Sequence, residues 1–216
     1  MHLRVLPPVG RVKISAPYRM DIETIRSFAL QKLSWIEKHQ VKFLQQKKGK
    51  PQEYVNGESH YFAGRSYQLR VVDHAGHPKV MIRDQKFIDL LVSRDSDREK
   101  RKKVINDWYR EQLRVKILEL GKKWEKIIGV EAKEWRIKKM KTRWGSCSVK
   151  SRRIWLNLGL AKRPDHCLEY VIVHELVHFL EPRHNSRFKA YMDHFMPQWN
   201  NYKKELNQRT ESFLSS

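Results

Sequence analysis

Two histidines four residues apart, His174 and His178, have the residue types and spacing best suited to chemistry in this chain. On a helix, residues four apart lie on the same face, so both imidazoles could bind one metal ion. Glu175 follows the first histidine and lies beside that face, where its carboxylate could take a proton from a metal-bound water. The pattern therefore predicts a zinc ion as cofactor, with Glu175 as the catalytic general base.

An alternative interpretation is a buried helix whose two histidines are satisfied by protein groups alone. The motif stands in an apolar segment, between residues 170–173 and residues 179–180. Burying two histidines and a glutamate there costs free energy unless a partner compensates for their polarity, and a metal ion is such a partner. The apolar context therefore favours the metal site.

A catalytic zinc site needs a third protein ligand, and several residues after the motif could supply it. Three ligands on one straight helix, with Glu181 as the third, would be spread over about 10 Å of its axis. Pro182 predicts that the helix ends directly after Glu181, so that the chain can turn and bring His184 back to the metal. Asp193 and His194, on the next predicted helix, are further candidates. The sequence favours His184, with Glu181 as a supporting residue or helix terminus.

The elements that must position these residues can be predicted from hydrophobic periodicity and turn residues. In the N-terminal half, alternating patterns predict short strands over 3–6 and 11–14 around a turn at Pro7, Pro8 and Gly10, and a β-meander over 52–93. Between them, a period near 3.6 predicts one long helix from Asp21, its N-cap, to Lys47.

A second long helix is predicted over 97–128, with Gly129 as its natural end. The rest of the chain is predicted to form strands over 134–142 and 154–158, with residues 144–148 between them, and helices over 164–180, 186–195 and from 197. The fold class is therefore α+β. We expect an N-terminal β-rich region with one long helix, residues 1–93, and a C-terminal domain that contains the motif, residues 94–216.

Four segments together resemble the YgjP-like family of metallopeptidases, relatives of the SprT-like zincins: residues 144–148, 154–157, 170–178 and 184–188. The resemblance extends over most of the chain. It implies a zincin-like C-terminal domain, in which the helix that carries the motif packs against a small sheet. It also implies that His174, His178 and His184 bind zinc and that Glu175 acts as the general base.

The resemblance also suggests where a substrate would lie. Zincins place a strand beside the metal cleft, to which an extended peptide can add as another strand, and residues 154–158 are the candidate. Trp155 and Asn157 would then be substrate contacts, while an ordinary core strand is the alternative. Arg143 could polarise a carbonyl or attract an anionic group, or it could be one more surface cation. Cys147 and Cys167 lack Cys-x-x-Cys spacing and are predicted to be buried thiols.

The net charge of +21 on 216 residues favours polyanionic partners. Residues 94–153 are the most basic part, with 21 Lys and Arg against 9 Asp and Glu. This stretch predicts nonspecific, salt-sensitive binding of nucleic acid or nucleotides near the metal site. The SprT-like relatives include proteases that act on DNA-bound protein, which supports the same expectation. The alternative is a solvated surface that only aids solubility.

The hydrophobic fraction of 40% and the aromatic fraction of 11% are typical of a folded globular protein. No run of 18 apolar residues is present, so the sequence predicts no membrane span. Cationic residues interrupt the first 30 residues, so no signal segment is predicted, and the two cysteines define no disulfide framework. The cytoplasm is the expected compartment, and nothing in the sequence predicts an oligomeric state.

The sequence leaves three functions open. The first is a zinc-dependent peptidase that hydrolyses protein or peptide substrates through a water activated by Glu175. The second is a metal-dependent nucleoside triphosphate hydrolase, a pyrophosphatase, although neither a carboxylate-rich Mg²⁺ cluster nor a phosphate loop is evident. The third is a nonenzymatic nucleic-acid-binding protein with a structural zinc. Such a site is normally closed by a fourth protein ligand, and Glu175 would then have no role.

Overall fold

The computed structural model describes residues 1–6, 10–45 and 52–208. Its combination of helices with three sheets confirms the predicted α+β class. The chain divides into two compact units, Met1–Lys50 and Pro51–Ser216. The division predicted at residue 93 stays a prediction. Within the second unit, the strands over residues 59–92 share one hydrophobic core with the long helix that follows them.

The first unit contains a hairpin and two helices. Its elements are the antiparallel strands β1 (His2–Leu6) and β2 (Arg11–Ser15), followed by α1 (Ile22–Gln31) and α2 (Leu33–Gln45). The single long helix predicted here is wrong in one respect, because Lys32 interrupts it: its backbone N–H donates to the carbonyls of Ala29 and Leu30. The side chain of Asp21 accepts from the backbone N–H of Thr24 at 2.7 Å, as expected of an N-cap. The predicted turn at Pro7 and Pro8 and the helix continuation to Lys47 lie outside the described residues.

The second unit begins with a four-stranded sheet of β3 (Ser59–Phe62), β4 (Arg65–Asp73), β5 (Lys79–Arg83) and β6 (Phe87–Val92). Its strand order is β3-β4-β6-β5, and β4 pairs with β6 in parallel, so the predicted meander is wrong in topology. Asp84 and Gln85 both have positive φ, which makes a tight hairpin between β5 and β6. Because β6 rather than β5 then lies beside β4, the sheet contains a parallel pair.

Helix α3 (Arg98–Ile128) crosses this unit as predicted. The Asp97 side chain caps its first turn by accepting from the backbone N–H of Lys100 at 2.7 Å. Gly129 ends it in the left-handed conformation with φ 74°. One face of the helix is buried along its whole length, at Ile105, Tyr109, Leu113, Ile117, Gly121, Trp124 and Ile128. This face packs against the four-stranded sheet and against the helix that carries the motif.

A three-stranded sheet follows, made of β7 (Glu134–Lys138), β8 (Gly145–Ser148) and β9 (Arg153–Asn157). Its order is β7-β9-β8, so β9 is central, parallel to β7 and antiparallel to β8. Residues 144–148 are predicted to lie between strands, whereas residues 145–148 form the edge strand β8. Its sequence of small and polar residues lacks the β-branched and aromatic side chains that predict strands.

After a short 3₁₀ helix, Leu158–Lys162, the chain forms α4 (Asp165–Val177), α5 (Ser186–Phe195) and α6 (Trp199–Gln208). Helix α4 is central and packs against α3, α5, α6 and β8. It is apolar on nearly all sides, as expected of a helix enclosed by neighbours. Among the described residues, no helix has the length and apolar character needed to cross a membrane.

Candidate metal centre

Helix α4 holds the motif rigidly because its neighbours fix it on several sides. The carboxylate of Glu169 accepts hydrogen bonds from Lys123 Nζ at 2.7 Å and from Trp124 Nε1 at 2.8 Å, which ties α4 to α3. Asp165, in the first turn, forms an ion pair with Lys116 on the same long helix. The last turn of α4, which carries His174 and Glu175, is therefore held in a defined position.

The structure brings three imidazoles together at the end of this helix. His174 Nε2 and His184 Nε2 are 3.0 Å apart, and the ring centroids of His178 and His184 are 4.6 Å apart. One nitrogen from each of the three rings lies within 4.8 Å of the other two. The ring of Phe188, on α5, packs against all three imidazoles at centroid distances of 4.7 to 5.0 Å.

The turn that brings His184 back begins earlier than the sequence predicts. Helix α4 ends at Val177, not after Glu181, and the next residues form turns in which Phe179 and Leu180 donate to carbonyls three residues earlier. The chain then bends at Pro182 and Arg183 before it reaches His184. Glu181 stays outside the imidazole group, and its carboxylate accepts from the backbone N–H of Arg183 at 3.1 Å.

The other predicted alternatives for the third ligand lie elsewhere. Asp193 Oδ1 accepts a hydrogen bond from Trp199 Nε1 at 2.7 Å. The ring of His194 packs edge-on against Phe195. Within the described residues, neither belongs to the group of ligand atoms that surrounds His174.

The donor set fits a zinc ion. His178 Nδ1 lies 3.1 Å from the carbonyl oxygen of Glu181, so a proton on Nδ1 leaves Nε2 free to bind a metal. His174 Nδ1 is buried and has no hydrogen-bond partner in the described part of the chain. Two nitrogens on one tetrahedral zinc are about 3.3 Å apart, close to the 3.0 Å between His174 and His184.

The protonation of the three histidines also suits a metal site. Burial, then the neighbouring imidazoles, then Lys203 lower the pKa of His174 to about 3. Burial likewise lowers the pKa of His178 and of His184. All three rings are therefore neutral near pH 7, which is the form in which imidazole binds metal.

Glu175 lies in the same cavity and is only 5% exposed. Burial raises its pKa to about 8, and the nearby charge of Arg143 opposes this shift. A divalent cation beside the imidazoles would favour the ionised carboxylate further. Burial first, and then the Glu175 charge, raise the pKa of the Cys147 thiol to about 12, so this cysteine is not a thiolate near pH 7.

The site opens into a cavity of about 580 Å³. Three parts of the chain build it: the loop and edge strand β8, the helix α4 with the turn after it, and the helix α6. The lining residues are Thr142, Arg143, Trp144, Gly145, Ser146, Cys147, Val149, Tyr170, Val171, His174, Glu175, His178, Pro182, His184, Lys203, Leu206 and Asn207. The cavity is thus a cleft between an exposed sheet edge and three imidazoles.

The sequence matches the family model described as YgjP-like, metallopeptidase domain, over residues 1–209. The chain belongs to this family. It is therefore an enzyme and a metallopeptidase, which removes the nonenzymatic alternative. Membership in a peptidase family also favours peptide over nucleotide substrates.

Two solved structures, both archaeal metallopeptidase zymogens, resemble part of this YgjP-like chain. Abylysin of Pyrococcus abyssi is 19% identical with a TM-score of 0.41, and the match covers 44% of this chain and 95% of that one. Jannalysin of Methanocaldococcus jannaschii is 23% identical with a TM-score of 0.39, over 43% of this chain and 95% of that one. The comparison with curated proteins gave no match.

The three residues predicted to contact substrate differ in whether they line the cavity. Arg143 lines the cavity of this YgjP-like protein, whereas Trp155 and Asn157 are not among its described lining residues. Asn157 is 2% exposed, and its Nδ2 donates to the carbonyls of Met140 at 2.8 Å and Arg143 at 2.7 Å. Its amide thus holds the backbone of the loop that carries Arg143, while its role as a substrate contact stays a prediction.

The strand predicted to accept substrate is also different in the structure. Strand β9, residues 153–157, lies between β7 and β8, so both of its edges are already paired. The edge strand beside the imidazoles is β8, which pairs only with β9 in the described sheet. Three of its residues, Gly145, Ser146 and Cys147, line the cavity.

Sequence reasoning missed several residues of the site. Gly145 is packed so closely that a Cβ there would lie 2.5 Å from Glu175 Oε1. Tyr170 lines the cavity with its ring 5.7 Å from that of His174, four residues along the same helix, and this spacing could have predicted it. Lys203 comes from the last helix, and no local pattern could have placed it here.

A second group with metal-ligand residue types lies between α4 and α6. One ligand atom each of His166, Cys167 and Glu205 lies within 4.8 Å of the other two. His166 Nε2 and Glu205 Oε2 are 2.6 Å apart, however, closer than the roughly 3.3 Å that separates two ligands of one zinc. We therefore assign this pair as a hydrogen bond between the two helices.

Many cations of the basic stretch have carboxylate partners. Glu99 pairs with Arg98 and Lys102, and Asp107 pairs with Lys103 and Arg110. Such pairs reduce the free positive charge of α3. The predicted binding of nucleic acid stays a prediction from composition.

Proposed function

We propose that this metallopeptidase uses zinc held by His174, His178 and His184, and that Glu175 is its general base. The observation that carries the proposal is the buried Glu175 carboxylate in the same cavity as three converging, neutral imidazoles. A zinc ion bound there would lower the pKa of a water and polarise the carbonyl of the scissile peptide bond.

The residues of the chain have distinct roles in this proposal. Glu175 accepts a proton from the attacking water and donates it to the nitrogen of the leaving amine, so no net proton is consumed. The walls of the cleft exclude bulk water from the carboxylate, and Arg143 lies close enough to influence its charge. The Arg143 guanidinium is a candidate to stabilise negative charge that develops on the substrate.

Strand β8 supports a peptide as the substrate. An extended peptide laid along its unpaired edge would form backbone hydrogen bonds beside the imidazoles, whatever its side chains. Side chains alternate along an extended peptide, so only some would enter the cleft, and they would set the specificity. This arrangement favours hydrolysis of an extended or unfolded protein segment over cleavage of a compact nucleotide.

Replacement of Glu175 tests the proposal. Glu175→Gln keeps the shape of the side chain and the three histidines but cannot accept the proton. We expect it to retain bound zinc, measured by elemental analysis, and to lose about 1,000-fold or more in kcat/KM on an unfolded protein such as casein. The matched control is Glu181→Gln, since that carboxylate is only six residues away but lies outside the cavity. Wild-type turnover by Glu175→Gln would contradict the proposed mechanism.

A further inference from the structure

Helix α6 contributes one wall of the cleft, although it is far from the motif in sequence. Trp199, Lys203 and Leu206 are four and three residues apart, so they lie on one face of the helix. Trp199 and Leu206 are buried, at 6% and 2% exposure. Lys203 and Leu206 line the cavity, whereas the neighbouring Lys204 is not among its described lining residues.

Several contacts fix the position of α6 on α4. His166 Nε2 and Glu205 Oε2 are hydrogen-bonded at 2.6 Å, and the ring of Tyr202 packs against that of His166 at 4.9 Å. The ring of Trp199 is stacked near that of Tyr170, with centroids 6.5 Å apart. Because the helix is held at these points, the backbone at Lys203 has a defined position beside the cleft.

Lys203 lines the cleft, and within the described residues its ammonium forms no ion pair with a carboxylate. Its Nζ is 5.4 Å from the ring centroid of Trp199, an arrangement that attracts a cation to the indole face. Lys203, His174 and His184 line the same cavity, so the ammonium can act on a group bound beside the imidazoles.

The charges that line the cleft are mostly positive. Arg143 and Lys203 come from two different walls, and a bound metal ion would add two further positive charges. Glu175 is the only carboxylate among the described lining residues, and it is buried. A substrate with an acidic side chain would therefore meet attraction, and one with a basic side chain would meet repulsion.

We propose that Lys203 is a specificity residue that selects peptides with an acidic side chain beside the scissile bond. This inference rests on the proposed peptidase function, and it concerns only the choice of peptide. A partly exposed ion pair supports a modest preference, so we expect a five- to tenfold higher kcat/KM for a peptide with Glu than for its Gln counterpart. A matched Lys peptide should be the poorest of the three.

The test uses three fluorogenic peptides that differ only by Glu, Gln or Lys on either side of the cleaved bond. Wild type is compared with Lys203→Gln and Lys203→Glu, and the matched control is Lys204→Glu. The control changes the net charge equally and lies one residue away on the same helix. We expect Lys203→Gln to abolish the preference for Glu, Lys203→Glu to favour the Lys peptide, and Lys204→Glu to behave as wild type. Thermal melting confirms that each variant is folded.

Binding of the same peptides to zinc-loaded Glu175→Gln, measured by fluorescence anisotropy, separates this inference from the proposed function. If the Glu peptide binds more tightly in a Lys203-dependent manner but wild type cleaves none of the peptides, the specificity holds and the peptidase proposal fails. The inference about Lys203 is wrong if wild type cleaves the peptides and Lys203→Glu keeps the wild-type ratio of kcat/KM between the Glu and Lys peptides. If Lys203→Glu and Lys204→Glu change this ratio equally, net charge explains the effect, and the inference is wrong as well.

Discussion

The carboxylate of Glu175 lies directly against Gly145, the first residue of the edge strand. A Cβ at this position would be 2.5 Å from Oε1 and 2.9 Å from the carboxyl carbon, distances that real Cβ atoms do not reach. The backbone of β8 and the proposed general base can therefore approach each other only because residue 145 has no side chain. This contact couples the strand proposed to bind substrate to the group proposed to activate water.

Gly145→Ala tests that coupling. The added methyl group must displace the Glu175 carboxylate, and a shift of about 1 Å in a catalytic group costs about 100-fold in rate. We expect kcat/KM to fall by about this factor while bound metal, measured by elemental analysis, is retained.

Gly57→Ala is the control for Gly145→Ala. Gly57 has φ 81° and no atom within 4 Å of an added Cβ, so the substitution strains only the backbone. It should cost about 1 kcal/mol in the free energy of unfolding and leave turnover unchanged. Equal activity of Gly145→Ala and Gly57→Ala would show that the contact with Glu175 does not matter.

His184→Ala tests the assignment of the third ligand. Removal of one of three imidazoles should weaken zinc binding by more than about 100-fold, measured by competition with a chelating indicator. Because a ligand that binds only the folded state stabilises it, chelator should lower the melting temperature of wild type but not of His184→Ala. The control is His194→Ala, on α5 outside the imidazole group. Wild-type affinity in His184→Ala would return Glu181 and Asp193 to consideration.

Asn157→Ala should destabilise the loop that carries Arg143. The amide of Asn157 donates to two backbone carbonyls and accepts from the backbone N–H of Gly159 at 3.0 Å, all in a buried position. Its loss leaves buried polar groups unpaired, so we expect a decrease of about 3 kcal/mol in the free energy of unfolding by urea. Trp155→Phe is the control, since Trp155 is two residues earlier on the same strand and partly exposed. It should lower the free energy of unfolding by less than half as much. A decrease below about 1 kcal/mol for Asn157→Ala would contradict the positioning role.

His60 should make the protein sensitive to mild acid. Its side chain is fully buried, and burial, followed by the charge of Lys162, lowers its pKa from 6.5 to about 4 although Glu58 Oε1 lies 3.5 Å from Nε2. The unfolded chain takes up a proton near pH 6.5, whereas the folded chain does so only near pH 4. Stability is therefore full above pH 6.5 and is lost as pH falls toward 4, by about 3 kcal/mol.

The measurement for His60 is the free energy of unfolding by urea at several pH values. His60→Met fills a similar volume without titrating, so its stability should vary less than that of wild type across the same pH window. Parallel curves for the two proteins would assign the acid sensitivity to other groups.

Some of the fold and of the site could be predicted from sequence because the physics that determines them is local. The four-residue spacing of His174 and His178 places both rings on one face of any helix that contains them. Asp97 and Gly129 mark the ends of α3 through hydrogen bonds and a backbone conformation that involve only neighbouring residues. The break at Pro182, together with the family resemblance, predicts the return of His184.

Tertiary packing decided the rest. Nothing local in residues 145–148 predicts a strand, since small polar residues form one here only because β9 offers backbone partners. The parallel pairing of β4 with β6 and the approach of Lys203 to the cleft join segments many residues apart. Hydrophobic periodicity defines which face of an element is buried, but not which partner buries it. The sequence by itself therefore determined which residues are proposed to bind the metal and activate water, because their spacing on one helix is local. The packing of α6 and β8 around α4 determined the cleft that surrounds them.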